Sequence, residues 1–250
     1  ELYHALGQMD LAETAMRESL AIYETSFGPE SGDVVESLTN LAELFLSQQR
    51  LADAESLLKR ALAVQEKRLH DDSLDLTPSL NGLAMVHLSG GKHAEAKPLL
   101  ERMLGILEKN LADNHPDLGP VLTHLATISQ AEGDLEKAES TLRRVVSIYE
   151  KSIGVMHPAF AKTLSQLGEI YLSMGMLPAA EPLLKQALDI RKATLGEDHP
   201  EAAESMDRLA VLYQSKGEFK EAEAMMSQSI DIYQRVYGQD HEAVAQGRGP

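Results

Sequence analysis

The sequence predicts an all-α fold, a solenoid in which antiparallel helix pairs stack along one array. Two observations lead to this prediction. The chain resembles itself at a period of 42 residues, with no insertion or deletion, and each repeat holds two stretches whose apolar residues recur at helical spacing. One helix pair cannot bury its apolar stripe alone, so neighbouring pairs must stack into a continuous core.

The repeat is visible in four sets of equivalent positions, here called columns, in which successive residues are 42 positions apart. One alanine is identical in six copies, a leucine is followed by a small residue in five, and glycine predominates in two further columns. The columns are Ala12, Ala54, Ala96, Ala138, Ala180 and Ala222; Leu41-Ala42, Leu83-Ala84, Leu125-Ala126, Leu167-Gly168 and Leu209-Ala210; Gly7, Gln49, Gly91, Gly133, Gly175 and Gly217; and Gly28, His70, Ala112, Gly154, Gly196 and Gly238. Small side chains in the first two columns indicate close helix crossings.

Each repeat divides into a shorter helix A and a longer helix B. In the repeat that begins at Ala161, the apolar residues within 164–171 form the buried stripe of helix A. Those within 177–188 form the stripe of helix B. Gly175 permits the backbone turn that ends helix A, and Pro200 suits the first turn of the next A helix. Two prolines fall inside B-helix patterns, where we expect them to bend or trim the helix start: Pro98 and Pro182.

The period also sets the repeat boundaries of a single array over residues 1–246. The segments are a partial repeat 1–32, full repeats 33–76, 77–118, 119–160, 161–202 and 203–240, the start of a truncated repeat 241–246, and a tail 247–250. Because the helical pattern is cut at both ends, we expect a piece of a longer protein. The chain opens directly into helical pattern with no targeting segment, which favours a cytoplasmic location.

Composition narrows the function classes. The 39 acidic against 23 basic residues give a formal charge of −16, which disfavours nucleic acids and anionic membranes and favours basic partners. We expect a protein or peptide partner that is basic or apolar. No apolar run reaches the roughly 18 residues that a membrane-spanning helix needs. The absence of cysteine excludes disulfides and thiolate zinc sites.

The columns resemble those of the tetratricopeptide repeat (TPR) family, in which a leucine and a small residue are followed by an aromatic four positions after the leucine, as at Phe45, Tyr171 and Tyr213. The 42-residue period, with linkers such as residues 154–158 (Gly-x-x-His-Pro), is similar to the kinesin light chain-like subclass. The resemblance implies a right-handed superhelix whose A helices line a concave groove for partner peptides, with no catalysis. Kinesin light chains favour asparagine at the position just before the Leu-small pair, and here only Asn40 matches.

Helical geometry predicts a partner-binding face on the A helices, opposite the buried arc. This face has six positions on each of five A helices, which in the repeat that begins at Ala161 are Lys162, Ser165, Gln166, Glu169, Leu172 and Ser173. The thirty positions hold five acids and two bases and are otherwise mainly uncharged polar or apolar, which suits a bound peptide or helix. The candidate groove residues are Asn40, Glu43, Asn81, Met85, Leu88, His124, Thr127, Gln166, Glu169, Leu172 and Arg208. We expect binding on the central A helices, between acidic rims at Glu36 and Glu43 and at Glu204 and Asp207.

No pattern indicates catalysis, a cofactor or a metal. Four linker histidines lie one repeat apart, too far to share a zinc ion, and are interpreted as helix-start residues: His115, His157, His199 and His241. Residues 90–92 (Gly-Gly-Lys) lack the strand and the glycine spacing of a phosphate loop. The sequence therefore predicts an interaction scaffold or adaptor. Two alternatives stay open, a regulatory sensor segment of a larger protein and a structural array that associates through its ends.

Overall fold

Eleven α-helices account for most of residues 9–238, the part of the chain that this computed structural model describes, and no strand occurs there. They are α1 (Met9–Phe27), α2 (Gly32–Ser47), α3 (Leu51–Arg68), α4 (Thr77–Ser89), α5 (His93–Asn110), α6 (Leu118–Ala131), α7 (Leu135–Ser152), α8 (Pro158–Ser173), α9 (Leu177–Leu195), α10 (Pro200–Lys216) and α11 (Phe219–Tyr237). The predicted all-α fold is confirmed. Gly7, the beginning of the partial repeat and the truncated repeat 241–246 with His241 lie outside the described residues.

Helices A and B alternate as the sequence predicts. The A helices α2, α4, α6, α8 and α10 have 13 to 17 residues, and the B helices α3, α5, α7, α9 and α11 have 18 or 19. The B helices begin 42 residues apart, at Leu51, His93, Leu135, Leu177 and Phe219. Pro98 and Pro182 are each the sixth residue of a B helix, and neither trims its start.

The chain divides into two compact units, residues 1–112 and 113–250. In the first unit, α1 packs on α2, α2 on α3, α3 on α4 and α4 on α5, and the A helices α2 and α4 also touch. In the second unit, α6 packs on α7, α7 on α8, α8 on α9, α9 on α10 and α10 on α11, and α8 touches α10.

The predicted close crossings are present. All six residues of the alanine column are at most 2% exposed. A Cβ on Gly168 of α8 would stand 2.6 Å from the Cδ2 atom of Leu184 on α9, so the A and B helices of this repeat meet where the small residue allows it. The leucines of the Leu-small column are buried except Leu125, which is half-buried.

The two glycine columns mark the turns. Gly91, Gly133, Gly175 and Gly217 have a positive φ, and Gln49, which replaces glycine in its repeat, adopts the same left-handed conformation at φ 59°. In that turn the amide of Arg50 closes the A helix by donating to the carbonyl of Phe45 at 2.8 Å. Where His70 and Ala112 replace glycine in the other column, the chain instead leaves α3 and α5 through an extended residue.

Ion pairs with the repeat's period link successive repeats within each unit. Lys67 pairs with Glu30 and Lys109 with Asp72 in the first unit, the second pair at 3.7 Å. The equivalent positions in the second unit hold Arg235 and Asp198, 2.8 Å apart. We call these pairs the linker ladder. In each pair a base near the end of a B helix meets an acid in the linker that precedes the A helix of the same repeat.

Candidate functional site

The predicted binding face of the first unit lies on α2 and α4. Asn40 and Glu43 are exposed on α2, and Asn81, Met85 and Leu88 are half-buried on α4. The two helices touch, so amide, carboxylate and apolar groups occur on neighbouring surfaces. Such a mixture can satisfy the backbone of a bound peptide and accommodate its side chains.

A cleft of about 390 Å³ adjoins this face in the first unit. It is bounded on one side by Asn40 and Glu43 of α2 and on the other by Met16 and Ser19 of α1. Met16 and Ser19 were not among the predicted groove residues, because only A helices were expected to line the groove. Their signal would have been the 42-residue equivalence of Met16 to Leu58, a residue buried at 2% exposure where a further repeat covers it.

In the second unit the candidate residues lie on α6, α8 and α10. Thr127 is exposed, and His124 is half-buried on the same helix. Burial and, to a smaller extent, the positive charge of Lys162 hold the pKa of His124 below its ordinary value. Gln166 is half-buried, and its Oε1 atom is enclosed and accepts no hydrogen bond from the described residues. Neutral polar groups therefore dominate this part of the face.

Glu169 and Arg208, both candidate groove residues, bind each other. The guanidinium of Arg208 on α10 pairs with the carboxylate of Glu169 on α8 and donates to that of Glu204 at 2.8 Å. Burial raises the pKa of Glu204, but the hydrogen bond and charge of Arg208 outweigh it, and the pKa of Glu204 lies below its ordinary value. The charges that the sequence places in the groove are thus used to join two A helices.

A buried arginine lies behind this network. Arg191 of α9 is 3% exposed and donates to Ser205 Oγ at 2.7 Å and to the carbonyl oxygen of Glu201 at 3.1 Å. Its guanidinium also lies 3.5 Å from the carboxylate of Glu204. Sequence reasoning missed Arg191, because the buried stripe was assumed to be apolar.

The acidic rim predicted at this end is not free. Glu204 is held by Arg208, and Asp207 accepts a hydrogen bond of 2.9 Å from the hydroxyl of Tyr233 on α11. Two further face positions are also less accessible than predicted. Ser165 is 1% exposed and is therefore covered by neighbouring structure, and Leu172 packs half-buried against the core of the second unit. The helical wheel placed both in the outer arc because it ignores the neighbouring A helix.

An acid, a cation and an aromatic ring recur at the joint between a B helix and the next A helix. In the second unit, Arg143 pairs with Glu139 one turn away and donates to the hydroxyl of Tyr171 at 2.8 Å. One repeat later, Lys185 pairs with Glu181 and lies 5.9 Å from the ring centre of Tyr213. The sequence signal was available in acid–base pairs that are four residues apart and occupy equivalent positions of four repeats: Glu13-Arg17, Glu55-Lys59, Glu139-Arg143 and Glu181-Lys185. In the repeat between the second and third pairs the order of the charges is reversed, with Lys97 and Glu101.

The linker histidines begin A helices. Nδ1 of His157 accepts a hydrogen bond from the amide of Ala159 at 3.1 Å, and Nδ1 of His199 accepts one from that of Glu201 at 3.2 Å. His115 accepts similarly at the turn before α6. Among residues 9–238, no group of three or more His, Asp or Glu side chains is arranged to hold a metal ion. None of the described helices combines the length and apolar composition that crossing a bilayer requires.

Comparison with known proteins identifies relatives of the whole array. The family model for the tetratricopeptide repeat matches residues 1–67, 75–151 and 160–235, and a second model of the same description matches residues 39–110. None of the curated protein sequences matches the chain.

Solved structures are similar over most of the chain. The nearly identical TPR-like repeats of a kinesin light chain candidate from Podosopora anserina are 29% identical, covering 80% of this chain and 95% of that one, with a TM-score of 0.71. BtubC (BKLC) from P. vanneervenii is 23% identical, covering 92% of each chain, with a TM-score of 0.77. YrrB, described as a TPR protein with an unusual peptide-binding site, is 19% identical, covering 92% of this chain and 97% of that one, with a TM-score of 0.55.

Proposed function

Because the chain belongs to the tetratricopeptide repeat family, we propose that it is a protein–protein interaction scaffold that binds a peptide or helix of a partner on its A-helix face. One observation carries the proposal. On α2 and α4, Asn40, Asn81, Met85 and Leu88 lie exposed or half-buried on touching helices, so amides stand beside apolar groups. Burying such groups under a partner costs less than burying unpaired charges.

The second unit supports the same function less directly. Its face offers His124, Thr127 and Gln166, but Glu169 and Arg208 are engaged with each other. A partner that used these two charges would first have to separate them. We therefore propose that the groove on α2 and α4 makes the main contact, and that the neutral polar groups of α6 and α8 offer a second contact surface.

A partner pull-down with matched variants tests the proposal. We expect proteins captured by the wild-type chain to be lost with Met85→Gln/Leu88→Gln, because glutamine is similar in size to both residues and replaces their apolar ends with a polar amide. The control is Leu11→Gln/Ile22→Gln, which makes the same kind of change at two exposed positions of α1 and should retain the partners. Circular dichroism verifies that both variants are folded. Partners that persist with the groove variant, or disappear with the control, would place binding elsewhere.

A further inference from the structure

The exposed charges on the binding face of the first unit are all negative. Glu36 and Glu43 lie on α2, seven residues apart and thus on the same side of the helix, and both are exposed. Neither carboxylate forms an ion pair with any residue from 9 to 238. The twelve face positions of α2 and α4 include no lysine or arginine. A partner thus meets two carboxylates that nothing on this face neutralises.

The equivalent charges of the second unit are compensated. Glu169 and Glu204 are both held by Arg208, and Glu204 also lies 3.5 Å from Arg191. Asp207 accepts a hydrogen bond from Tyr233. The two units therefore offer different electrostatic surfaces on the same side of their A helices. Among the described residues of the A-helix faces, only those of the first unit include acidic groups that are free to attract a cation.

Apolar groups lie on the same two A helices as these carboxylates. Met85 and Leu88 are half-buried on α4, which touches α2, and Leu46 is half-buried at the end of α2. Seven residues of helix advance about 10 Å, which sets the separation between the backbone positions of Glu36 and Glu43. A complementary ligand needs two cations about that far apart and an apolar side chain beside them.

We propose that the α2–α4 face binds a basic peptide segment, with lysine or arginine side chains on Glu36 and Glu43 and an apolar side chain on Met85 and Leu88. This inference rests on the proposed function and names the chemistry of the partner. Charge complementarity accelerates association and discriminates against acidic segments, while the apolar contact prolongs the complex. The formal charge of −16 acts in the same direction over longer distances.

Three labelled peptides test the proposal by fluorescence anisotropy with the full chain. They share the frame Leu-x-Ala-x-Leu-x-Ala-x-Leu and carry lysine, glutamine or glutamate at every x. We expect the lysine peptide to bind at least about tenfold more tightly than the glutamate peptide and to weaken as salt is raised. Glu36→Gln/Glu43→Gln should weaken lysine-peptide binding about fivefold, as expected for two exposed ion pairs.

A charge-matched control separates a local site from the overall charge. Glu197→Gln/Glu221→Gln removes two exposed acids of the second unit that form no ion pair among the described residues, and it should change affinity less than about twofold. Equal losses in the two variants overturn the site. Preferential binding of the glutamine or glutamate peptide overturns the inference and leaves the proposed scaffold function standing. Binding of none of the three also overturns it, and the pull-down above then decides whether the function falls too.

Discussion

Arg208 of α10 and Glu169 of α8 form an ion pair that joins two consecutive A helices on the predicted binding face. The side chain of Arg208 is only 22% exposed, and it also binds Glu204. We expect Arg208→Gln to lower the free energy of unfolding by about 1–3 kcal/mol, because two carboxylates lose a charged hydrogen-bond donor. Chemical denaturation measures this.

A double-mutant cycle with Glu169→Gln isolates the pair. Because the residues touch, we expect a coupling energy of about 1 kcal/mol between them. Additive effects of the two substitutions would show that the pair does not hold α8 against α10.

The alanine column makes a second prediction. Ala138 is fully buried at the crossing of α6 and α7, so Ala138→Leu should lower the free energy of unfolding by about 1–3 kcal/mol through overpacking. Ala63→Leu makes the same change at an exposed position of α3 and serves as the control. Thermal unfolding of both variants decides the question. An unchanged melting temperature for Ala138→Leu would mean that the column tolerates bulk.

The linker histidines lead to a third prediction, which concerns helix capping. His157 caps α8 by accepting a hydrogen bond from the amide of Ala159. We expect His157→Ala to lower the free energy of unfolding by about 0.5–2 kcal/mol and His157→Asn to restore most of it, because asparagine also accepts from the first turn. Equal stabilities for the alanine and asparagine variants would contradict a capping role. Urea titrations of the three proteins provide the comparison.

His124 gives a pH dependence. Its pKa is lowered in the folded chain, first by burial and then by Lys162, so the unfolded chain binds the proton more readily. Stability should therefore fall as the pH drops below the ordinary value of 6.5, and the fall should end once the pH is below the lower folded pKa. His124→Gln should lose less stability over this window. Parallel pH profiles for variant and wild type would argue against the burial of this imidazole.

Local rules predicted most of the fold. The helix pairs, the close crossings at Ala138 and Gly168 and the A–B turns follow from residue size, apolar spacing and glycine, all of which a sequence displays. Local rules do not predict the left-handed conformation of Gln49, which could be inferred only from its place in the 42-residue period. The period in turn does not predict how α3 and α5 end. Their extended end residues follow from the loss of glycine at His70 and Ala112.

The candidate site could be predicted less completely. The helical wheel assigned Ser165 and Leu172 to the outer arc, yet both pack against neighbouring structure, because one helix says nothing of what lies beside it. It also treated Glu169 and Arg208 as separate groove charges, whereas contact between α8 and α10 brings them together. Asn40 and Glu43 are exposed, as a helix face turned away from the core requires.

The linker ladder allows equivalent positions to be compared between the repeats of one chain. Each repeat presents the same pair of positions, and the pairs have diverged within a single gene product. Glu30 and Lys67 have been exchanged for Asp198 and Arg235 with the charges kept, whereas Met156 and Ala193 occupy the same two positions with both charges gone. A third version, Asn114 with Lys151, keeps the base without its acid, so designed arrays of this period can compare a paired, a half-lost and an uncharged form of the same contact.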